Sequence, residues 1–138
     1  MIYKKMRWLM ILTVICVTMN SCAQNLNCDD FHEGLFMVLA DSIYSESSTY
    51  YRKGAKQVEW SKPGDSVYVN VKYIDNCNWI LTYDTKLNKL DKLEKFINAS
   101  GGMYLETLKI KGDTLFYSGI LKNDTLPFTQ PGSILKLK

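Results

Sequence analysis

The feature that most constrains the fold is a set of short segments in which apolar and polar residues alternate. In residues 67–73 every second residue is Val or Tyr, and residues 77–83 repeat the alternation with Cys, Trp, Leu and Tyr. A period of two is typical of a β-strand with one buried face. Asp75-Asn76 lies between the two segments and is a turn signal. The pattern therefore predicts two neighbouring antiparallel strands.

Further strands are predicted where short apolar or β-branched runs lie between turn residues. These runs cover residues 34–40, 49–53, 56–61, 103–110, 114–121 and 133–137. Gly54 and Gly112 mark tight hairpin turns. Pro127 and Pro131-Gly132 are expected to interrupt the chain before the last strand.

One segment has a helical period instead. Leu87, Leu90, Leu93 and Ile97 recur at helical spacing, with charged residues between them. Gly101-Gly102 supplies the helix stop. We interpret the four apolar residues as a face packed on the sheet, in preference to a helix that binds a partner.

The predicted fold class is therefore mainly β, an antiparallel meander of about seven or eight strands with one short helix. Such a sheet hides its edges best by curling into a barrel. A strongly curved open sheet capped by the helix is the alternative.

The first 21 residues have the layout of a secretory signal peptide. A basic start (Lys4, Lys5 and Arg7) is followed by an apolar run over 8–17, which is too short to span a bilayer comfortably. We predict a signal peptide over 1–21, a lipid attachment site and tether over 22–30, and a single β domain over 31–138.

Removal of the signal changes the charge balance. The chain has 17 Lys and Arg against 14 Asp and Glu, and three of the basic residues lie in the signal. The remainder is neutral and lacks the basic patch expected of a nucleic-acid-binding protein. We predict no nucleic-acid partner.

The four cysteines have different predicted fates. Cys16 lies within the signal, and Met19-Asn20-Ser21-Cys22 resembles a bacterial lipobox, which predicts lipidation of Cys22. Cleavage after Ala23, which would release a soluble protein, is the alternative. Cys28 and Cys77 remain in either case. An even pair in an exported domain predicts a disulfide, with two separate buried thiols as the alternative.

Residues 28–36 carry the pattern Cys-x-x-Phe-x-x-Gly-x-Phe. Arg52, the Gln-x-Glu of residues 57–59 and the aromatic segment 73–83 follow it. In these features the chain resembles a family of small exported Bacteroidota (flavobacterial-type) lipoproteins of unknown function. The likeness covers residues 28–83, and it implies a lipocalin-like β fold and an envelope location. Some members carry a DNA topoisomerase IV label, for which this chain has no nucleotide-binding loop or basic groove.

Two sets of residues are candidates for a binding site. With Gly54-Ala55 as the loop, Arg52 lies opposite Gln57, and Glu59 shares their face of the sheet. If that face points inward, the three form a polar ligand site. If it points outward, they form a solvated ladder, which is the interpretation we favour. Aromatic residues of the regular strands would either line a pocket or, as we favour, fill the core: Trp60, Tyr73, Trp79 and Tyr83.

No catalytic or metal site is predicted. The chain lacks the Gly-x-Ser-x-Gly nucleophile motif, and its single histidine, His32, is interpreted as a solvated residue at a strand entrance. Two cysteines and one histidine are too few for a structural zinc site without carboxylates. We therefore expect a protein that is not an enzyme and needs no cofactor.

The sequence leads to an expectation about function and place. We expect a membrane-anchored lipoprotein of the periplasm or outer membrane, whose β domain binds a small apolar ligand or an envelope protein. A structural or protein-interaction module, or a soluble secreted protein, is the alternative.

Overall fold

The structure is a computed structural model that describes residues 26–41, 45–60, 64–122 and 128–138. The predicted signal peptide, Cys22 and Ala23 lie outside these ranges.

The described chain begins with a 3-10 helix and continues as eight strands with one α-helix. The 3-10 helix, called the plug below, covers Cys28–Phe31. The first five strands are β1 (Gly34–Val38), β2 (Ser48–Lys53), β3 (Lys56–Trp60), β4 (Ser66–Tyr73) and β5 (Trp79–Tyr83). They are followed by α1 (Lys92–Ala99), β6 (Met103–Lys111), β7 (Thr114–Leu121) and β8 (Phe128–Lys136).

The strands form a closed barrel in which each strand pairs antiparallel with the next and β1 pairs with β8. This is the up-and-down topology of a lipocalin-like barrel. Closure gives the hydrogen-bonding groups of both end strands a partner and so removes the exposed edges. The predicted fold class is confirmed, and the barrel replaces the open-sheet alternative.

The alternation in β4 and β5 has the predicted consequence. In β4, Val69 and Val71 are buried, whereas Tyr68 before them and Lys72 after them are exposed. β5 begins two residues later than predicted, because Asp75 accepts hydrogen bonds from the backbone N–H groups of Cys77 and Asn78, at 2.8 Å each. This Asx-type turn takes Cys77 out of the strand.

The helix is shorter than the leucine spacing predicts. α1 begins after Asp91, whose carboxylate accepts from the backbone N–H of Glu94 in a capping box. Leu87 lies instead in a turn in which its backbone N–H donates to Asp84, and its side chain is 61% exposed. The prediction of a four-residue apolar face packed on the sheet is therefore wrong. The helix ends where predicted, because Gly101 and Gly102, which follow it, both have positive φ.

β8 is longer than predicted and runs through Pro131-Gly132. Pro131 is tolerated because residues 128–132 have a recorded strand partner only in β7, whereas β1 pairs with residues 134–136. A missing N–H costs little where no second strand needs it. Gly132 is required by packing, since a Cβ there would collide with the ring and hydroxyl of Tyr117.

The core is made by inward-facing residues near the plug. Phe31, Phe36, Trp79 and Leu115 are fully buried and belong to one apolar cluster. The 3-10 helix and α1 are the helices of the described ranges, and neither is long and apolar enough to span a bilayer.

Candidate ligand-binding site

The interior of the barrel holds a cavity of about 630 Å³. Small-molecule sites in proteins typically enclose roughly 300–1,000 Å³. Its wall is mainly apolar and includes side chains from six strands and α1: Val38, Val69, Leu81, Ile97, Met103, Leu105, Leu121 and Ile134. The cavity therefore has the size and the apolar lining of a site for a small molecule.

One end of the barrel is closed by the plug. Phe31 is fully buried and packs on Phe36, with ring centroids 5.8 Å apart. The Cys28–Cys77 disulfide joins the plug to the β4–β5 loop, which confirms the predicted pairing. Lys136 Nζ of β8 donates to the backbone carbonyl of Asp30. Bonds to two separate parts of the barrel thus hold the plug in place.

The other end carries α1. Asn98 makes two hydrogen bonds with the backbone of Tyr83 at the end of β5, accepting at 2.8 Å and donating at 2.9 Å. Ile97 points into the barrel and is buried. Leu93 and Phe96 border the cavity but are 62% and 44% exposed. We call this end the mouth, because its apolar residues contact both the cavity and the outside.

Arg52, Gln57 and Glu59 form a polar wall inside the barrel. Arg52 pairs with Gln57 across the hairpin, as the Gly54-Ala55 loop predicts. Arg52 is 0% and Gln57 2% exposed, and all three side chains border the cavity. The favoured interpretation of a solvated outer ladder is therefore wrong. Barrel closure buries this face, where the ring of Tyr50 contacts both Arg52 and Phe36.

The guanidinium of Arg52 is held on several sides. Its Nε donates to Gln57 Oε1 at 2.7 Å, and its Nη1 donates to the carbonyl oxygen of Phe31 at 3.1 Å. The rings of Trp79 and Tyr50 lie 4.6 and 5.2 Å from its central carbon. A buried cation needs such partners to offset its lost hydration. Arg52 therefore links the polar wall to the plug.

Gln57 in turn holds Glu59 in place by a hydrogen bond. Its Nε2 donates to Glu59 Oε1 at 2.5 Å. Burial raises the pKa of Glu59, and the Gln57 hydrogen bond and the charge of Arg52 offset this only in part. Glu59 is less enclosed than its two neighbours, because its side chain is partly exposed, whereas theirs are buried. Of the three side chains in the polar wall, Glu59 is therefore the most accessible to a molecule in the cavity.

The aromatic candidates divide into two roles. Tyr83 borders the cavity, whereas Trp79 is fully buried behind Arg52 and does not. Trp79 therefore fills the core, as the favoured interpretation predicts. Tyr73 lies beside it, 6.3 Å away between ring centroids, and donates at 3.3 Å to the carbonyl oxygens of His32 and Gly54.

Two buried polar atoms have no hydrogen-bond partner in the part of the chain that the structure describes. They are the Tyr50 hydroxyl and the Trp79 indole nitrogen. Tyr50 borders the cavity and was not among the predicted site residues. The signal for it was present in the sequence, because Tyr50 stands two residues before Arg52 and shares its face of β2.

His32 lies beside the plug, outside the cavity. Its Nε2 is 2.7 Å from the carbonyl oxygen of Asn76, and its ring is 4.4 Å from that of Tyr73. Within the described ranges, no three His, Cys, Asp or Glu side chains are grouped so that they could hold a metal ion.

The fold and the cavity together define a lipocalin-like barrel with a ligand-sized interior. Comparison of the chain with protein-family models, curated protein sequences and solved structures found no match.

Proposed function

We propose that this protein is a non-enzymatic binding protein of the cell envelope that holds a small apolar ligand inside its barrel. The observation that carries the proposal is the cavity of about 630 Å³, with its mainly apolar wall and a mouth bordered by Leu93 and Phe96. An apolar wall with a few ordered polar groups is the usual composition of a small-molecule site.

The proposal includes the lipid anchor on Cys22. Only six positions separate Cys22 from Cys28, and a chain of that length reaches at most about 20 Å. Cys28 is fixed to the plugged end of the barrel by its disulfide. A lipid on Cys22 would therefore hold the plugged end near the membrane and leave the mouth free to exchange ligand.

Two measurements test the binding function. The first is extraction of protein purified from its own host with organic solvent, followed by mass spectrometry, which should recover a stoichiometric small molecule. The second is titration of the extracted protein with the neutral dye N-phenyl-1-naphthylamine, whose fluorescence should rise on entering the cavity.

A pair of variants tests whether the dye binds inside the cavity. Leu105 is buried, borders the cavity and points inward, whereas its neighbour Glu106 is exposed. Leu105→Trp should fill the cavity and abolish dye binding, and Glu106→Trp should leave binding unchanged. Circular dichroism establishes that each variant is folded. Failure of the dye to bind, with no molecule extracted, would favour the alternative of a structural or protein-interaction module.

A further inference from the structure

The hydrogen bonds of the polar wall determine which atom of Glu59 is free. A guanidinium can only donate, so Gln57 must turn its carbonyl oxygen to Arg52. Its amide NH₂ then faces Glu59, and Glu59 Oε1 acts as an acceptor. Glu59 Oε2 has no hydrogen-bond partner among the described residues, so it is the oxygen left to meet a ligand.

The charges of the wall limit what can bind there. Arg52 is fully buried, and Glu59 lies next to it through Gln57, so the ionised pair is neutral overall. A charged ligand group placed beside them would add an unbalanced charge in a poorly solvated space, which is costly. A hydroxyl adds no charge, and it can donate to an ionised Oε2 or accept from a protonated one.

We propose that the cavity selects an uncharged single-chain amphiphile whose hydroxyl group hydrogen-bonds to Oε2 of Glu59, with its alkyl chain along the apolar wall. This inference rests on the proposed binding function and names the class of ligand. Glu59 is the specificity-determining residue, and Arg52 and Gln57 position it.

Other titratable or charged side chains also border the cavity: Glu46, Tyr50, Arg52, Tyr83 and Tyr117. Glu46 stands before β2 at the mouth and is exposed, so water screens its charge. It provides a control carboxylate on the same cavity that lacks the Gln57 hydrogen bond.

The test compares three probes with the same chain length and different head groups: 1-dodecanol, dodecanoate and dodecylamine. Each displaces N-phenyl-1-naphthylamine from the delipidated protein near neutral pH. We expect 1-dodecanol to bind more tightly than either charged probe by about tenfold or more, since an unpaired buried charge costs over 1.4 kcal/mol. Tighter binding of dodecanoate or dodecylamine would overturn the inference.

Glu59→Gln and Glu46→Gln separate the two carboxylates. Loss of the charge of Glu59 leaves Arg52 uncompensated, so Glu59→Gln should shift the preference from 1-dodecanol toward dodecanoate. Glu46→Gln should keep the wild-type order of the three probes. Dye binding to both variants shows that the cavity is intact. If the dye binds but the three probes bind equally well, the inference about the head group fails and the proposed binding function stands. If neither the dye nor any probe binds, the binding function itself fails.

Discussion

Arg52 donates a hydrogen bond from Nη1 to the backbone carbonyl oxygen of Phe31, over 3.1 Å in the buried interior. This bond joins a side chain of β2 to the plug, 21 positions earlier in the sequence. The closed end of the barrel and the polar wall of the cavity are therefore one hydrogen-bonded unit. We therefore expect substitutions in the polar wall to change the free energy of unfolding of the whole barrel.

Arg52→Met should lower the free energy of unfolding by about 3–5 kcal/mol, because it leaves the Gln57 side-chain oxygen and the Phe31 carbonyl without their donor and Glu59 without the nearby positive charge. Urea unfolding followed by tryptophan fluorescence measures the change. Lys53→Met, at the adjacent exposed position, is the matched control and should change stability by less than about 0.5 kcal/mol. Equal effects of the two substitutions would contradict the role assigned to Arg52.

Replacement of both disulfide cysteines by Ser should lower the free energy of unfolding by up to about 4 kcal/mol, since the bridge closes a loop of 49 residues in the unfolded chain. The measurement is urea unfolding of the double variant beside the oxidised wild type. Reduction of the wild type should reproduce the loss. A stability unaffected by either treatment would show that the plug is held without the bridge.

Tyr50→Phe should raise the free energy of unfolding by about 1 kcal/mol, because it removes a buried hydroxyl that has no partner among the described residues. Tyr73→Phe is the matched comparison. Its hydroxyl donates to the carbonyls of His32 and Gly54, so its loss should lower stability by about 1 kcal/mol. Thermal and urea unfolding of both variants test the opposite signs. A loss of stability in Tyr50→Phe would mean that the hydroxyl has a partner in solution.

Glu59 should make stability depend on pH in a defined direction. Burial raises its pKa above the ordinary value of 4.5, so the folded state disfavours the ionised form more than the unfolded state does. The contribution of Glu59 to the free energy of unfolding is complete below its pKa in the unfolded chain. It is lost as the pH rises through the raised pKa of Glu59 in the folded protein. Glu59→Gln cannot ionise. The unfolding free energy of the wild type minus that of the variant should therefore fall as pH rises from about 4.

This difference isolates Glu59 from the other carboxylates. Asp75 and Asp84 have lowered pKa values, through hydrogen bonds from Asn78 and Cys77 and from Lys86, Lys56 and Leu87 respectively. They act in the opposite direction, at lower pH, and both proteins carry them. Urea unfolding at a series of pH values gives the curve, and a difference that is constant or rises with pH would count against a raised pKa of Glu59.

Much of the site geometry follows from local sequence rules. The Gly54-Ala55 loop predicts that Arg52 lies opposite Gln57, and the structure has this register. The rules fail for the helix, where the spacing of Leu87 and Leu90 predicts an earlier start than the Asp91 cap allows. Capping and turn hydrogen bonds outweighed apolar periodicity there, since Leu87 and Leu93 gain little burial.

The sequence by itself determined the strands with regular alternation, the hairpin pairings and a pair of cysteines that could meet. Each depends on residues close together in the chain, or on chemistry that needs no knowledge of the fold. Only the tertiary structure decided which face of β2 is the inner one. Both faces carry a tyrosine and polar residues: Ser48, Tyr50 and Arg52 on one, and Thr49, Tyr51 and Lys53 on the other. Barrel closure resolved the choice, because only the first face brings Tyr50 onto Phe36 and Arg52 onto the carbonyl of Phe31.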